Sequence, residues 1–245
     1  MKNAITTIFY LLITANLFSQ ELFKSGEVVY SVKISSEQNL NNSLESKNMY
    51  HSFQKKTNLF SEKLKYTLKF NKKNSIFYLN SNLAMDSEES FNKLALILNK
   101  GDNRYFVDLK KRQMTEEKPF FGEDFLIVSA TSDLKWKLVN EKKKIGKYIC
   151  YKATVKRKNN GPKGVVDPYS TYTAWYTPDI SFNYGPFEFN SLPGLILELS
   201  IKDRTYTASK ITLKKETIKI NKPNNGKLVT KKEFDNIGKK AFENR

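Results

Sequence analysis

Asp179, Glu188 and Glu198 are the residues whose chemistry is easiest to name. Two carboxyl groups of split pKa serve as acid and base in glycoside cleavage, and these three stand close together in the chain. Their surroundings suggest plainer duties. Asp179 follows Pro178 as a turn residue, and Glu198 falls on the outward side of an alternating strand. His51 is the only histidine and has no cysteine or carboxylate at ligand spacing, which argues against a zinc centre and against a histidine-dependent triad. No phosphate-cradling loop, nucleotide fingerprint or hydrolase elbow occurs. The expectation is a chain without catalytic residues, metal or cofactor, with a carboxylate hydrolase as the remaining enzyme reading. Cys150, the only cysteine, reads as a small buried hydrophobe within a strand.

Binding is the better-supported chemistry. Trp175, Tyr176, Phe182, Tyr184, Phe187 and Phe189 crowd one stretch, and Pro178, Gly185 and Pro186 keep it out of regular structure. Aromatics on irregular backbone beside a sheet can line a concave apolar site with Asp179 or Glu188 as polar fixtures, or can plug the end of a barrel; the spacing does not decide between them. Leu192-Pro193-Gly194-Leu195 then suits a type II turn, with proline at the second position and glycine supplying positive φ at the third. Trp175, Tyr176, Pro178, Asp179, Gly185, Pro186, Phe187 and Leu192 to Leu195 are therefore the candidate cleft for a lipid, a peptide or another envelope component.

The residues 173–179, Gly185-Pro186-Phe187 and 191–199 together resemble the GLPGLI family, secreted β-rich proteins of Bacteroidetes-type bacteria named for the hexapeptide that Ser191 to Ile196 would represent. Lys135 to Val139 and Ile145 to Ala153 add to the likeness with a tryptophan strand, a glycine turn and a cysteine-bearing strand, so that it extends over about Leu134 to Leu213. The resemblance implies export and a β fold, and no particular reaction. Ser191 departs from it, standing where the family carries glycine. A glycine kept there for close packing would tolerate serine, and that is the reading adopted.

The elements that must position these residues begin with a secretory signal. Lys2, the apolar run Ala4 to Leu17 and Phe18-Ser19 read as a signal peptide over residues 1–19, cleaved after Ser19 or, as second choice, Ala15. That run is shorter than the roughly 20 apolar residues of a membrane-spanning helix, and no later stretch qualifies. With no cysteine at the cleavage point a lipoprotein anchor is not expected, which leaves a soluble periplasmic or secreted protein. Residues 20–245 are read as a single β domain, and since one thiol cannot close an internal disulfide its stability must come from apolar burial. The formal net charge of +17 is spread over most strands without an Arg-rich cluster or a recognition helix, so nucleic acid is not the expected partner. An anionic envelope component or an outer-membrane partner is the second reading of function.

Alternation places strands at Val28 to Ile34 and at Lys63 to Phe70, where Leu64, Tyr66, Leu68 and Phe70 face one way and Lys63, Lys65 and Lys69 the other. Asn71 to Asn74 turn into Ile76 to Leu79. Glu37 to Phe60 fits helix or loop equally. Phe91, Leu94, Ala95 and Leu98 make a short helix behind Ser87 to Ser90, stopped by Gly101. Strands follow at Tyr105–Leu109, Gln113–Glu117, Phe125–Val128, Leu134–Val139, Tyr148–Lys156, Thr171–Tyr176, Leu195–Ile201 and Thr205–Leu213, the last with a bulge near Ser209. Thr230 and Glu233 form a capping box for an amphipathic helix over about 229–244, loosely attached through the linker Lys222 to Lys227. The fold class is mainly β: an antiparallel curved sheet, open barrel or sandwich with one or two short helices.

Overall fold

Val28, Tyr30, Val32 and Ile34 are all buried along β1 (Ser25–Ile34), and Tyr66, Leu68 and Phe70 along its neighbour β2 (Lys65–Asn71). The period-two pattern is thus realised in register, because slipping either strand by one residue would put lysines into the core. The chain turns at Lys72-Lys73, where the Asn71 side-chain oxygen accepts from the backbone N–H of Lys73 and Asn74, both at 2.8 Å, and leads into β3 (Asn74–Leu79). A computed structural model describes residues 23–35, 44–80, 90–131, 134–158 and 169–243. The signal segment 1–19 lies outside the described residues.

Among the described residues, twelve strands form one open sheet. After β3 come β4 (Arg104–Asp108), β5 (Gln113–Phe120), β6 (Glu123–Ala130), β7 (Lys137–Ile145), β8 (Tyr148–Lys158), β9 (Tyr169–Thr177), β10 (Leu195–Ile201), β11 (Arg204–Lys214) and β12 (Lys227–Thr230). Their spatial order is β12-β6-β5-β4-β3-β2-β1-β11-β10-β9-β8-β7. Every pairing is antiparallel except β12 with β6. The sheet is therefore two meanders joined where β1 meets β11, and β12 and β7 form its edges. The bulge expected near Ser209 is present: Val29 pairs with Lys210 and Tyr30 with Ala208, and the extra Ser209 donates its hydroxyl to the Val29 carbonyl at 3.0 Å.

Helices close one part of the core. Of the ambiguous segment, the residues from Leu44 onward are helical, α1 (Leu44–Lys63), which runs through Lys63 and so shortens the following strand to begin at Lys65; Glu37 to Ser43 lie outside the described residues. A second helix, α2 (Ser90–Leu98), packs beside it, while the acidic residues expected in its first turn lie outside the described residues. Asn99, fully buried, ties both helices to the sheet. Its amide donates to Ser61 Oγ at 2.8 Å and to the Ala95 carbonyl at 2.7 Å, and its own carbonyl accepts from Tyr66 Oη at 2.8 Å. The left-handed residue that ends α2 is Lys100 (φ 51°) rather than Gly101, whose N–H reaches back to the Leu96 carbonyl at 2.8 Å.

The C-terminal helix α3 (Lys231–Glu243) has the expected capping box. Glu233 Oε2 accepts from the Thr230 N–H at 2.7 Å, and Thr230 Oγ1 accepts from the Glu233 N–H at 3.2 Å. Its attachment differs from the loose tether expected, because β12, too short to show alternation, pairs in parallel with β6 directly before it. Phe234 is then buried against Phe120 and Phe125 in a second apolar cluster with Ile127 and Val229. No described helix is long and apolar enough to cross a membrane.

Candidate functional site

The connection between β9 and β10, residues 178–194, lies across the core face of the sheet. Proline and glycine exclude it from strand, and backbone bonds fold it on itself: the N–H groups of Leu195 and Ile196 donate to the carbonyls of Ile180 (3.1 Å) and Tyr184 (3.0 Å), and that of Ser191 to Asn183 (3.2 Å). Its aromatics point inward. Phe182 meets Phe70 at 4.7 Å between ring centroids, and Phe189 meets Tyr172 at 5.2 Å and Trp136 at 6.0 Å. Phe187 stands at the centre, with Phe77 at 4.7 Å, Tyr206 at 4.9 Å, Tyr105 at 5.4 Å and Tyr66 at 6.2 Å. Trp136 Nε1 and Tyr30 Oη fasten the C-terminal side of the connection, donating to the carbonyls of Asn190 (2.9 Å) and, just inside β10, Ile196 (2.6 Å).

The eleven cleft residues consequently divide. Tyr176, Gly185, Pro186, Phe187, Leu192, Gly194 and Leu195 are buried, whereas Pro178, Asp179 and Pro193 are exposed and Trp175 is half-buried. The hexapeptide turn is tighter than type II. The Gly194 N–H donates to the Leu192 carbonyl at 2.8 Å, a three-residue turn centred on Pro193, and Gly194 has φ 147°. Ser191 corrects a second expectation: it adopts φ 69°, so the backbone at this position is left-handed, and close packing is not all that a glycine here would serve. Left-handed backbone costs an L-residue about 1 kcal/mol, partly offset by the greater freedom of glycine when unfolded. Ser191→Gly is expected to raise the midpoint of urea unfolding by about 0.5–1 kcal/mol equivalent with an unchanged slope; a lower midpoint would show that the serine carries no strain.

The three carboxylates do not assemble into an acid–base pair. Glu198 accepts from Lys143 Nζ at 2.6 Å and Thr207 Oγ1 at 3.1 Å on the face of β10 opposite the buried Leu199. Glu188 is held by Arg157 at 2.5 Å on the core side, and Asp179 is exposed beside Pro178. Lys143 also lies over the Trp175 ring at 4.4 Å, with Lys152 over it at 5.9 Å, so Trp175 is flanked by two ammonium groups. Next to it Lys142, Lys143, Lys144, Ile149, Tyr151, Pro178 and Asp179 border a surface groove of about 440 Å³. Cys150 is buried in β8, and burial pushes its thiol up to about 11.

A second cavity, of about 220 Å³, was not foreseen. Lys100, Tyr105, Met114, Glu116, Ile127, Ser129 to Thr131, Arg157, Glu188 and Lys231 line it. Burial alone would raise the Glu188 carboxyl, but the nearby Lys100 ammonium and Arg157 guanidinium outweigh it and hold the group below its ordinary value. These residues come from five separate elements, the turn after α2 and the connection itself, and nothing in their spacing joins them.

Residues 156–198 match the model of a family described as a protein of unknown function (Porph_ging). The match to this Bacteroidetes-associated family runs from the end of β8 through β9 and the connection into β10, and so contains Arg157, Trp175, Phe187, Glu188 and Glu198. No curated protein matches the chain. In fold it is similar to two structures of PNGF-II. That in space group P21 has a TM-score of 0.52 at 15% identity and covers 87% of this chain and 33% of that one. The structure in space group C2 has a TM-score of 0.53 at 14% identity, with 87% and 32% covered. The chain thus spans about a third of the length of PNGF-II, and the likeness is one of architecture.

Proposed function

We propose that this chain is an exported, non-catalytic protein of the GLPGLI family that binds an anionic amphiphile at the basic edge of its sheet. The observation that carries the reading is the groove where Lys142, Lys143 and Lys144 of the edge strand β7 stand beside Ile149 and Tyr151 of β8, which are 45% and 41% exposed. Ammonium groups attract an anionic headgroup, and exposed apolar side chains beside them accept acyl or other apolar parts of the same molecule. Glu198 takes up Lys143, so Lys142 and Lys144 are the cations left to meet the ligand. Pro178 and Asp179 supply the far wall, which keeps the groove next to the hexapeptide turn that led to a binding site. The burial of Phe187 and Leu192 favours this edge over an apolar cleft among the aromatics themselves.

Co-sedimentation with vesicles tests the proposal. The protein is expected to bind vesicles containing phosphatidylglycerol and not those of phosphatidylcholine alone, with binding weakened by salt and by Lys142→Glu with Lys144→Glu. Equal binding to both vesicle types, none to either, or indifference to the double substitution would sink it.

A further inference from the structure

We infer that the end of the sheet formed by the tips of β1 to β5 and β11 is a docking surface for an anionic lipid bilayer. Lysines that are dispersed through the sequence are gathered there by topology. Ser25 pairs with both Lys214 and Asn71, so the start of β1 lies beside the ends of β11 and β2. The register continues through Asn74 with Asp108 and Asp108 with Gln113, which brings the β2–β3 and β4–β5 turns to the same end. Lys24 precedes β1, Lys72 and Lys73 make the first turn, Lys110 and Lys111 stand in the second, and Lys214 ends β11; all six are exposed. The Lys24 N–H donates to the Lys214 carbonyl at 2.9 Å and the Leu109 N–H to the Lys73 carbonyl at 3.1 Å, which fastens neighbouring segments together.

Little negative charge offsets this rim. Among the described residues of these segments the carboxylates are Asp108 and Glu216, and Asp108 Oδ1 is occupied by the backbone N–H of Lys111 at 2.9 Å. The opposite end of the same sheet is mixed, with Asp102, Glu123, Asp124 and Asp203 beside Arg104 and Lys202. Positive charge is thus polarised along the strands. Six strand ends spaced at about 4.8 Å make a front about 24 Å wide. Neighbouring ends lie within the roughly 8 Å screening length of physiological salt, so their fields add. The choice of a lipid surface as the partner rests on the reading of the edge groove as an amphiphile site. β10 leaves β11 by a tight turn at the far end, where Ile201 pairs with Arg204, so it begins at the rim end, and β9 ends there with Thr177 opposite Leu195. Tyr151 opposite Tyr176 and Ile145 opposite Tyr148 bring the β7–β8 turn, and with it the groove, to that same end. A molecule docked by the rim therefore holds its groove at the surface that supplies the amphiphile. The two turns expose lysine and no large apolar side chain, so the contact is electrostatic and does not insert.

Two measurements test the rim apart from the groove. A fluorophore is placed at the rim by Thr217→Cys or at the far end by Glu123→Cys, both exposed positions, while the buried Cys150 stays unlabelled in the folded protein. On vesicles of phosphatidylcholine and phosphatidylglycerol carrying a spin-labelled headgroup, the rim label is expected to be quenched and the far label not. Each lysine at an anionic surface contributes about fivefold in affinity, so replacing Lys24, Lys73, Lys110 and Lys111 together by glutamine should weaken vesicle binding about a hundredfold or more. The same variant is expected to keep its binding of dihexanoyl phosphatidylglycerol below the micelle concentration, which reports on the groove alone and is lost with Lys142→Glu and Lys144→Glu. Failure of the groove reading would therefore appear as no binding of the short-chain lipid by the parent protein, whatever the vesicles do. Equal quenching of the two labels, or vesicle binding undiminished by the four glutamines, would overturn the rim. A rim label that responds to polyphosphate and not to vesicles would overturn it too, in favour of a soluble polyanion.

Discussion

Gly194→Ala is expected to destabilise the protein by about 3 kcal/mol or more, the sum of a backbone region that L-residues rarely adopt and a steric overlap that the core cannot absorb. A Cβ at Gly194 would lie 2.0 Å from the Thr177 carbonyl oxygen and 2.9 Å from Pro178 Cα. Both obstacles are backbone, and Thr177 is pinned because it pairs with Leu195 across β9 and β10. Neither strand can retreat without breaking the ladder on which the connection rests. Guanidinium unfolding of the purified variant measures the loss, and a midpoint within error of the parent protein would mean that the close approach is not rigid. Leu192→Ala, at a buried position two residues away, gives the scale for an ordinary cavity at the same turn, about 2–5 kcal/mol.

Phe187→Ala should cost about 3–5 kcal/mol, the usual range for deleting a buried aromatic ring. The ring is 2% exposed and touches Tyr66, Phe77, Tyr105 and Tyr206, which belong to β2, β3, β4 and β11. It therefore joins the two meanders through side chains, where the backbone does so only at β1 and β11. Alanine keeps the left-handed φ of 56°, so the backbone strain is the same in both proteins and the difference reports the ring alone. Near-UV circular dichroism is expected to weaken as the surrounding tyrosines lose their fixed packing, alongside a lower guanidinium midpoint. Retention of both signals would show that the connection lies on the sheet without supporting it.

What could be read in advance followed from periodicity. The inward faces of β1 and β2 were legible because lysines occupy the alternate positions, and the bulge at Ser209 because the apolar face changes side there. The capping box at Thr230 and Glu233 is a local device of four residues and was equally legible. β12 was not, since Lys227, Leu228 and Thr230 are exposed and only Val229 is buried, which leaves no pattern to find. The aromatic stretch was found as a group, but composition alone could not say whether its rings face solvent or core; that depends on which residues of β2, β3, β4 and β11 stand opposite. Ser191 misled because a serine at positive φ has no sequence signature of its own. The mixed-charge cavity was invisible for a topological reason, as Lys100, Glu116, Arg157, Glu188 and Lys231 meet only once the sheet and α3 are in place.

The pairing of β1 with β11 sets a schedule for folding. Within each meander, strands adjacent in space are also successive in the chain, so each can assemble from contacts near in sequence. The bond between Ser209 and Val29 closes a separation of 180 residues. Such a closure is slow, because chain entropy must be spent before the contact offers any return. A chain delivered from its N-terminus therefore holds β1 as an open edge, apolar on one side, until nearly all the remaining strands have emerged. This is the period in which it is most exposed to pairing with another molecule.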